Sequence, residues 1–404
     1  MSRVLIDREF IEKFYSELNE GTRERVDEVA SRIIEVKKRG GKVAVVTGSG
    51  PNIHEGVTTL IAELIDKGIV DGVITSSAVV AHEMAGSLDR VKRVDGKYIG
   101  VKEDILPRGG TFEITIMDDD TLNLIKKEMI VDEELIEKGL RATGEVIVKA
   151  AGNLGYPVGL RTERVSLEVE KAAKLTGKPF EYIAGLGADP LTMIGAGAKK
   201  GVPVIVSAPQ IIGGGLVGLC IADSISMKQR SEIIARMLSE ASVIIESGIA
   251  LSQEIHDGPF ETYTGHGIWS SWDGLFTFSL RGKTLVRIDL DPNLQKVWDM
   301  ERGGGDVQKS IDMGLPKTKT LKVPFRMEMS GFARLEGSIP IVGDIGVVWP
   351  VIAFRVANAL GVKLDFISYP QESSQGKAMR EWIVDNIQIL DRALMYEKLR
   401  NLGT

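Results

Sequence analysis

The chain has 404 residues, 43% hydrophobic and 26% charged, the composition of a globular protein long enough for a large core. Its net charge of −6 at pH 7, with both signs interspersed, argues against a general nucleic-acid surface and leaves no acidic or basic tail. The single cysteine, Cys220, excludes an intrachain disulfide, residues 1–12 lack the apolar core of a signal peptide, and no apolar run reaches membrane-spanning length, so a soluble, cytoplasmic protein is expected.

Residues 8–39 place Phe10, Phe14, Val26, Val29, Ile33 and Ile34 at helical spacing and predict a helix pair or one long helix. Strands are predicted at 43–47, 72–75, 112–117, 181–185, 203–207, 242–246, 284–289 and 339–343. Several are apolar on both faces, such as Val43-Ala-Val-Val46 and Pro203-Val-Ile-Val206, which suits a parallel sheet covered on both sides. Helical patterns intervene at 56–68, 119–152, 164–177, 190–200, 226–240, 293–300, 348–360 and 376–400. The alternation predicts an α/β fold, a doubly wound and mostly parallel sheet with helices on both faces. A helical arm over 1–40, an α/β domain over 41–365 and a helical extension over 366–404 follow from this reading.

The stretch 42–56 is the most informative. A buried strand stops at Thr47-Gly48-Ser49-Gly50, and a helical pattern begins near Asn52. Glycines let backbone N–H groups approach a ligand, and a helix start adds orphan donors, an arrangement that suits a nucleotide phosphate. Neither G-x-G-x-x-G nor G-x-x-x-x-G-K-[ST] is present, and a plain tight turn is the alternative. In doubly wound sheets ligands bind at the carboxyl ends of strands. Those ends are Thr47-Gly-Ser-Gly50, Thr75-Ser76-Ser77, Gly185-Leu-Gly187, the 209–215 loop with Gly213, Gly214 and Gly215, Glu246-Ser-Gly248, Asp289-Leu-Asp291 and Gly343-Asp344-Ile345. Small and polar residues dominate all of them, as they would in a crevice or simply in Gly- and Ser-rich turns. Residues 257–274 have no period and carry two of the five tryptophans, Trp269 and Trp272, beside Asp273; a lid or an oligomer contact are both open. Residues 303–338 are also irregular.

Among the four histidines, His54 and His82 stand in His-Glu pairs, His54-Glu55 and His82-Glu83, each after a strand end. A histidine beside a carboxylate can act as general acid or base; a helix-capping His54 and a packed His82 are the alternatives. No metal site is expected: H-E-x-x-H is absent, and Asp118 to Asp120 suit a helix cap. Cys220 sits in an apolar stretch and is expected in the core. Asp344 ends an apolar strand, where an acid can accept from a ribose or an adenine amine; Asp291, before Pro292, suits a cap, and Asp289 fits either role.

These strand-end motifs resemble the deoxyhypusine synthase-like NAD-binding fold, and within it the LOR/SDH-type proteins, the archaeal-type ornithine cyclodeaminases. The segments that carry the resemblance are Gly48 to Gly56 with the following helix and Lys67-Gly-Ile-Val-Asp71, then Thr75 to Glu83, Lys199 to Val206, Arg281 to Asn293 and Ile341 to Gly346. The resemblance implies bound NAD, held by Gly48, Ser49, Gly50, Asn52, Thr75, Ser76, Ser77, Gly213, Gly214, Gly215, Asp289, Gly343, Asp344 and Ile345, and a homodimer or homotetramer. It implies a cyclodeaminase-like lyase or an oxidoreductase that oxidises a C–N or C–O centre transiently, with His82, Glu83 and His54 moving protons. Two departures bear on the reaction. The central loop, Ile211 to Gly218, lacks the acids both families place there, and no Trp-Gly-Lys exists for a deoxyhypusine synthase lysine. A non-redox nucleotide or small-molecule binding protein on the same fold is the alternative.

Overall fold

The computed structural model describes residues 6–48, 50–152, 155–248, 280, 282–303, 305–315, 322 and 337–402. Two helices come first, α1 (Arg8–Glu17) and α2 (Glu20–Lys38), with the side chains of Asp7 and Asn19 accepting from their first turns. Next come β1 (Lys42–Thr47), the short α3 (Gly50–His54), α4 (Val57–Asp66), β2 (Gly72–Thr75) and α5 (Ser77–Met84). An excursion follows, made of β3 (Leu88–Asp95), β4 (Thr111–Thr115), α6 (Asp119–Glu128), α7 (Glu133–Arg141) and β5 (Gly144–Ala150). Then α8 (Val158–Thr176), α9 (Phe180–Gly187) and α10 (Met193–Lys200) lead to β6 (Val204–Val206). After two 3-10 turns come α11 (Leu216–Ser224), α12 (Met227–Glu240), β7 (Ala241–Ser247) and β8 (Thr284–Asp289). The remaining elements are α13 (Asn293–Gly303), α14 (Gly305–Asp312), β9 (Ser338–Val342), α15 (Ile345–Leu360), α16 (Ser374–Asn386) and α17 (Arg392–Asn401). Among the described residues no helix is long and apolar enough to cross a membrane.

The main sheet has six strands in the order β6-β2-β1-β7-β8-β9, every neighbouring pair parallel. The doubly wound α/β fold expected from the sequence is what forms. Side-chain alternation explains the two-sided apolar runs. Val43 and Val45 of β1 face a core shared with Val26 and Ile33 of α2, Leu60 and Leu64 of α4, and Val348 and Ile352 of α15. Ala44 and Val46 face the opposite core, with Ile234 and Leu238 of α12 and Leu294 and Trp298 of α13. The smaller sheet, β4-β3-β5, is antiparallel, and its β5 edge packs against α3.

The free edge of β6 is closed by an ion pair rather than a strand. Val206 N donates to Glu181 Oε1 at 2.7 Å, and Arg230 donates to the Val206 carbonyl at 3.0 Å. The two side chains also bond each other, and neither is exposed to solvent. Together they replace the ladder partners that an edge residue lacks.

Four sequence expectations change. Residues 181–185 lie within α9, because a short apolar run such as Tyr182-Ile-Ala-Gly185 does not tell strand from helix by periodicity. The strand end at Gly185-Leu-Gly187 therefore leaves the candidate crevice. The helix expected over 119–152 ends at Arg141, and the β-branched Val146-Ile147-Val148 form β5 instead. The helix after the glycine turn is interrupted at Gly56, whose φ of +67° is left-handed and where a Cβ would lie 2.6 Å from Met379 Sδ. Only five residues of helix thus follow Thr47-Gly-Ser-Gly50 directly. Residues 257–274 and most of 303–338 lie outside the described residues.

Arg230→Met leaves Glu181 buried without its cation. The expected loss is about 3–5 kcal/mol of unfolding free energy, measured by urea denaturation; a midpoint equal to wild type contradicts the edge-closing role.

Candidate active site at the strand-order reversal

From β1 the chain moves outward through β2 to β6, then returns to the other side of β1 and continues through β7 and β8 to β9. Numbered within the main sheet alone, the order is 3-2-1-4-5-6. It reverses between β1 and β7, and in open α/β sheets the crevice outside such a reversal is where ligands bind. Here it opens beside Gly48, after β1, and Gly248, after β7.

On the β2 side of this reversal the strand ends carry hydroxyls. Thr47 and Thr75 end the neighbouring β1 and β2, Ser207 follows β6 one position beyond Val206, the partner of Thr75, and all three hydroxyls are buried without a hydrogen-bond partner. Each such group costs about 1–3 kcal/mol if left unsatisfied, so the row calls for a polar partner at the strand ends. Gly50 and Gly213 are open positions, where a Cβ would meet nothing within 4 Å.

Many of the other residues expected to hold a cofactor are engaged within the protein. Asn52 Nδ2 donates to the Ser247 carbonyl at 3.2 Å, and its Oδ1 accepts from Ser247 Oγ, which accepts in turn from Trp349 Nε1. Ser76 caps α5 by accepting from Val79 N at 3.3 Å. Ser77 Oγ donates to the Gln210 carbonyl and accepts from Gly214 N, both at 2.8 Å. Gly214 meets Ser77 so closely that a Cβ would sit 2.7 Å from its backbone carbon, while Gly215, at φ +60°, leads directly into α11. Asp289 Oδ1 accepts from Asp291 N, and the Asp289 carbonyl accepts from Gly343 N. Asp344 caps α15, which begins at Ile345, by accepting from Gly346 N at 2.8 Å; burial raises its pKa. Asp291 accepts from Asn293 N at the start of α13, and Asp118 caps α6. Ser49, Trp269, Trp272 and Asp273 lie outside the described residues.

The two histidines meet beside the crevice. α3 follows the β1 turn and α5 follows β2 directly, so His54 and His82 each end a short helix that leaves a strand end. His82 Nδ1 lies 2.7 Å from the Ala151 carbonyl. A carbonyl only accepts, so Nδ1 carries the proton and Nε2 has its lone pair free. Burial, with Lys149 close by, holds the His82 pKa below the ordinary value. His54 is lowered as well, by burial first and then by Arg380, His82 and Lys149. An Arg380 terminal nitrogen stands 3.4 Å from His54 Nδ1, and the same group bonds the Val148 carbonyl on β5. Lys149 and Arg380 escaped the sequence reading: one lies on a strand hidden inside an expected helix, and the other on a polar helix far along the chain.

The acids of the two His-Glu pairs are turned elsewhere. Successive residues on a helix do not share a face. Glu83 is wholly buried and accepts from Met193 N at 2.9 Å and Ile194 N at 3.0 Å, anchoring the first turn of α10. Burial pushes its pKa up to about 7 despite these two bonds. Glu55 accepts from Gln371 N at 2.7 Å and is likewise raised to about 7, chiefly by burial. Glu83 is therefore not brought together with His82 as a proton-transfer pair. Cys220 is buried, and burial raises its thiol to about 11. Among the described residues no cluster of three or more His, Cys, Asp or Glu could hold a metal ion.

No family model matches the chain. An ornithine cyclodeaminase of Methanothermobacter thermautotrophicus is 35% identical over 63 residues, which span 16% of this chain and only 15% of that enzyme. A protein of Methanococcus maripaludis S2 assigned to the LOR/SDH type is similar in structure, with TM-score 0.39 and 12% identity over 85% of this chain and 69% of that one. AgrE, in a ternary complex with ornithine and NAD+, gives 0.41 and 13% over 85% of this chain and 34% of its own. An Entamoeba histolytica protein assigned as a deoxyhypusine synthase gives 0.41 and 12% over 89% and 96%.

Glu83 has a folded pKa near 7, above the ordinary 4.5. The folded state then holds a proton that the unfolded chain has released, so the stability this group contributes is complete below the ordinary value and is lost as pH rises through the folded one. Wild type is expected to lose stability relative to Glu83→Gln between about pH 5 and about pH 8, in urea melts at both values; parallel pH dependence of the two proteins contradicts the assignment.

Proposed function

We propose that the chain is an NAD-dependent enzyme that transiently oxidises a C–N or C–O centre of a small metabolite, with a cyclodeaminase-like lyase or an oxidoreductase outcome. The observation that carries the reading is the reversal of strand order beside the Gly48 to Gly50 turn, with its row of orphaned hydroxyls. Thr47 and Thr75 fit a dinucleotide, because each is a buried hydroxyl lacking a partner where a ribose or phosphate oxygen would come to rest. Gly50 and Gly213 leave backbone room for it. The short ornithine cyclodeaminase match supports a metabolic lyase as one outcome.

NAD, when bound, supplies the acceptor for a hydride. The chain's own residues handle the proton. His82 is held in one tautomer by the Ala151 carbonyl, and burial keeps it neutral, so Nε2 is ready to take a proton from an N–H or O–H beside the oxidised carbon. His54 lies within its electrostatic reach, and Arg380, beside His54, supplies fixed positive charge. Glu83 acts on α10 and not on the proton.

The second reading, a non-redox binding protein, draws on a specific feature. Asn52, Ser77 and Asp344 already spend their hydrogen bonds inside the protein. Calorimetry decides between no cofactor and one: saturable NAD binding below about 1 mM is expected, and no heat at millimolar NAD overturns the proposal. His82→Ala then separates enzyme from binding module. A kcat loss of about 10²–10⁴-fold with NAD affinity retained is expected on any substrate that turns over; unchanged turnover removes His82 from the reaction.

A further inference from the structure

Two cations and two carboxylates share one face of the small sheet, and both cations choose the same carboxylate. Glu113 on β4 takes Lys149 Nζ at 2.8 Å and Arg93 Nε at 3.4 Å. Asp89, directly opposite Lys149 in the β3–β5 ladder, takes neither. Asp89 is only 8% exposed, and its Oδ2 has no hydrogen-bond donor. The buried Thr115 hydroxyl and the Arg90 N–H stand beside the Asp89 carboxyl and favour its charged form, against burial, which disfavours it more. Ser87, two residues before Asp89 and just outside β3, has a second buried hydroxyl without a partner. It also holds a left-handed φ of +66°, which a serine rarely adopts and which persists only where the surroundings enforce it. Gly155 lies against the group: a Cβ there would be 2.7 Å from Thr115 Oγ1 and 3.6 Å from Asp89 Oδ2.

The same ladder leads to the histidine. Ala151 N donates to the Ser87 carbonyl at 2.9 Å, and the Ala151 carbonyl accepts from His82. His82, with its free Nε2, is thus tied through Ala151 to Ser87, two positions from an acid whose Oδ2 lacks a donor. A buried carboxylate in this condition is costly until something donates to it, and the local cations are already committed to Glu113.

We infer that Asp89 is a substrate-binding residue of the reaction proposed above, accepting a hydrogen bond from the N–H or O–H of a small amine or alcohol held between it and His82. Thr115 and Ser87 complete the polar wall. Naming the occupant a substrate rests on the proposed NAD-dependent reading; the need for a donor rests on the side chains alone.

The test uses the full chain without NAD, labelled at histidine ring nitrogens and aspartate carboxyl carbons. It is titrated by NMR with n-butylammonium chloride and, separately, with butan-1-ol. Saturable shifts of Asp89 and His82 with at least one probe are expected, weakened at least tenfold in Asp89→Asn. The probe that saturates tells ammonium from hydroxyl. Neither probe shifting Asp89, or equal binding by Asp89→Asn, overturns the inference. Should that variant fail to fold, Thr115→Val serves, with at least threefold weaker binding expected and wild-type binding contradicting it. NAD calorimetry on the same samples separates the two ideas. Probes that bind through Asp89 where NAD does not bind sink the reaction and keep the pocket; NAD binding without probe binding sinks the pocket alone.

Discussion

A parallel sheet buried on both faces has few places where polar chemistry can stand. Its faces must be apolar because helices cover them, and its backbone groups are spent in the ladder. What remains is the edge and the carboxyl ends of the strands. Both are handled with polar side chains here. The edge of β6 is closed by the buried Glu181–Arg230 pair, which bonds Val206 in place of a further strand. The ends of β1, β2 and β6 carry Thr47, Thr75 and Ser207, whose hydroxyls have no partner in the protein. At the end of β7, by contrast, Ser247 is engaged by Asn52 and Trp349.

The same contrast separates the acids. Glu83 gives both carboxylate oxygens to backbone N–H groups of α10, and Glu55 gives one to Gln371. These are structural anchors, although burial raises both toward neutrality. Asp89 is raised to about 7, chiefly by burial, and holds no such bond through Oδ2. Glu246 and Arg287 face each other across β7 and β8 at 3.7 Å within the second core, a buried pair for which the surrounding described residues offer no functional role.

Much of the fold was legible in the sequence because its strongest signals are long-range and redundant. Val43 to Val46, Val243 to Ile245 and Ile339 to Val342 are apolar on both faces, and no other common architecture explains several such runs separated by helices. Legibility failed where charge masked alternation. β3 reads Leu88-Asp-Arg-Val-Lys-Arg-Val-Asp95, and only the three-stranded context buries Val91 and Val94 while pairing Arg93 with Glu113. For the site, the strand ends could be read off the sequence, and so could the two histidines. The orientation of their neighbours could not. His82-Glu83 looks like a pair in one dimension, yet the helix sends the two side chains to different partners, and the cations that do act on the histidines, Lys149 on both and Arg380 on His54, come from distant elements.

The central claim is that the reversal between β1 and β7 is a dinucleotide crevice. It is tested most directly by a crystal structure of the protein grown with NAD. The account predicts electron density for the dinucleotide across the Gly48 and Gly248 ends, with oxygens within hydrogen-bonding distance of Thr47 or Thr75 and the nicotinamide on the His82 side. A well-ordered crystal grown at saturating NAD with that crevice filled only by water, or with NAD seated elsewhere on the chain, contradicts it.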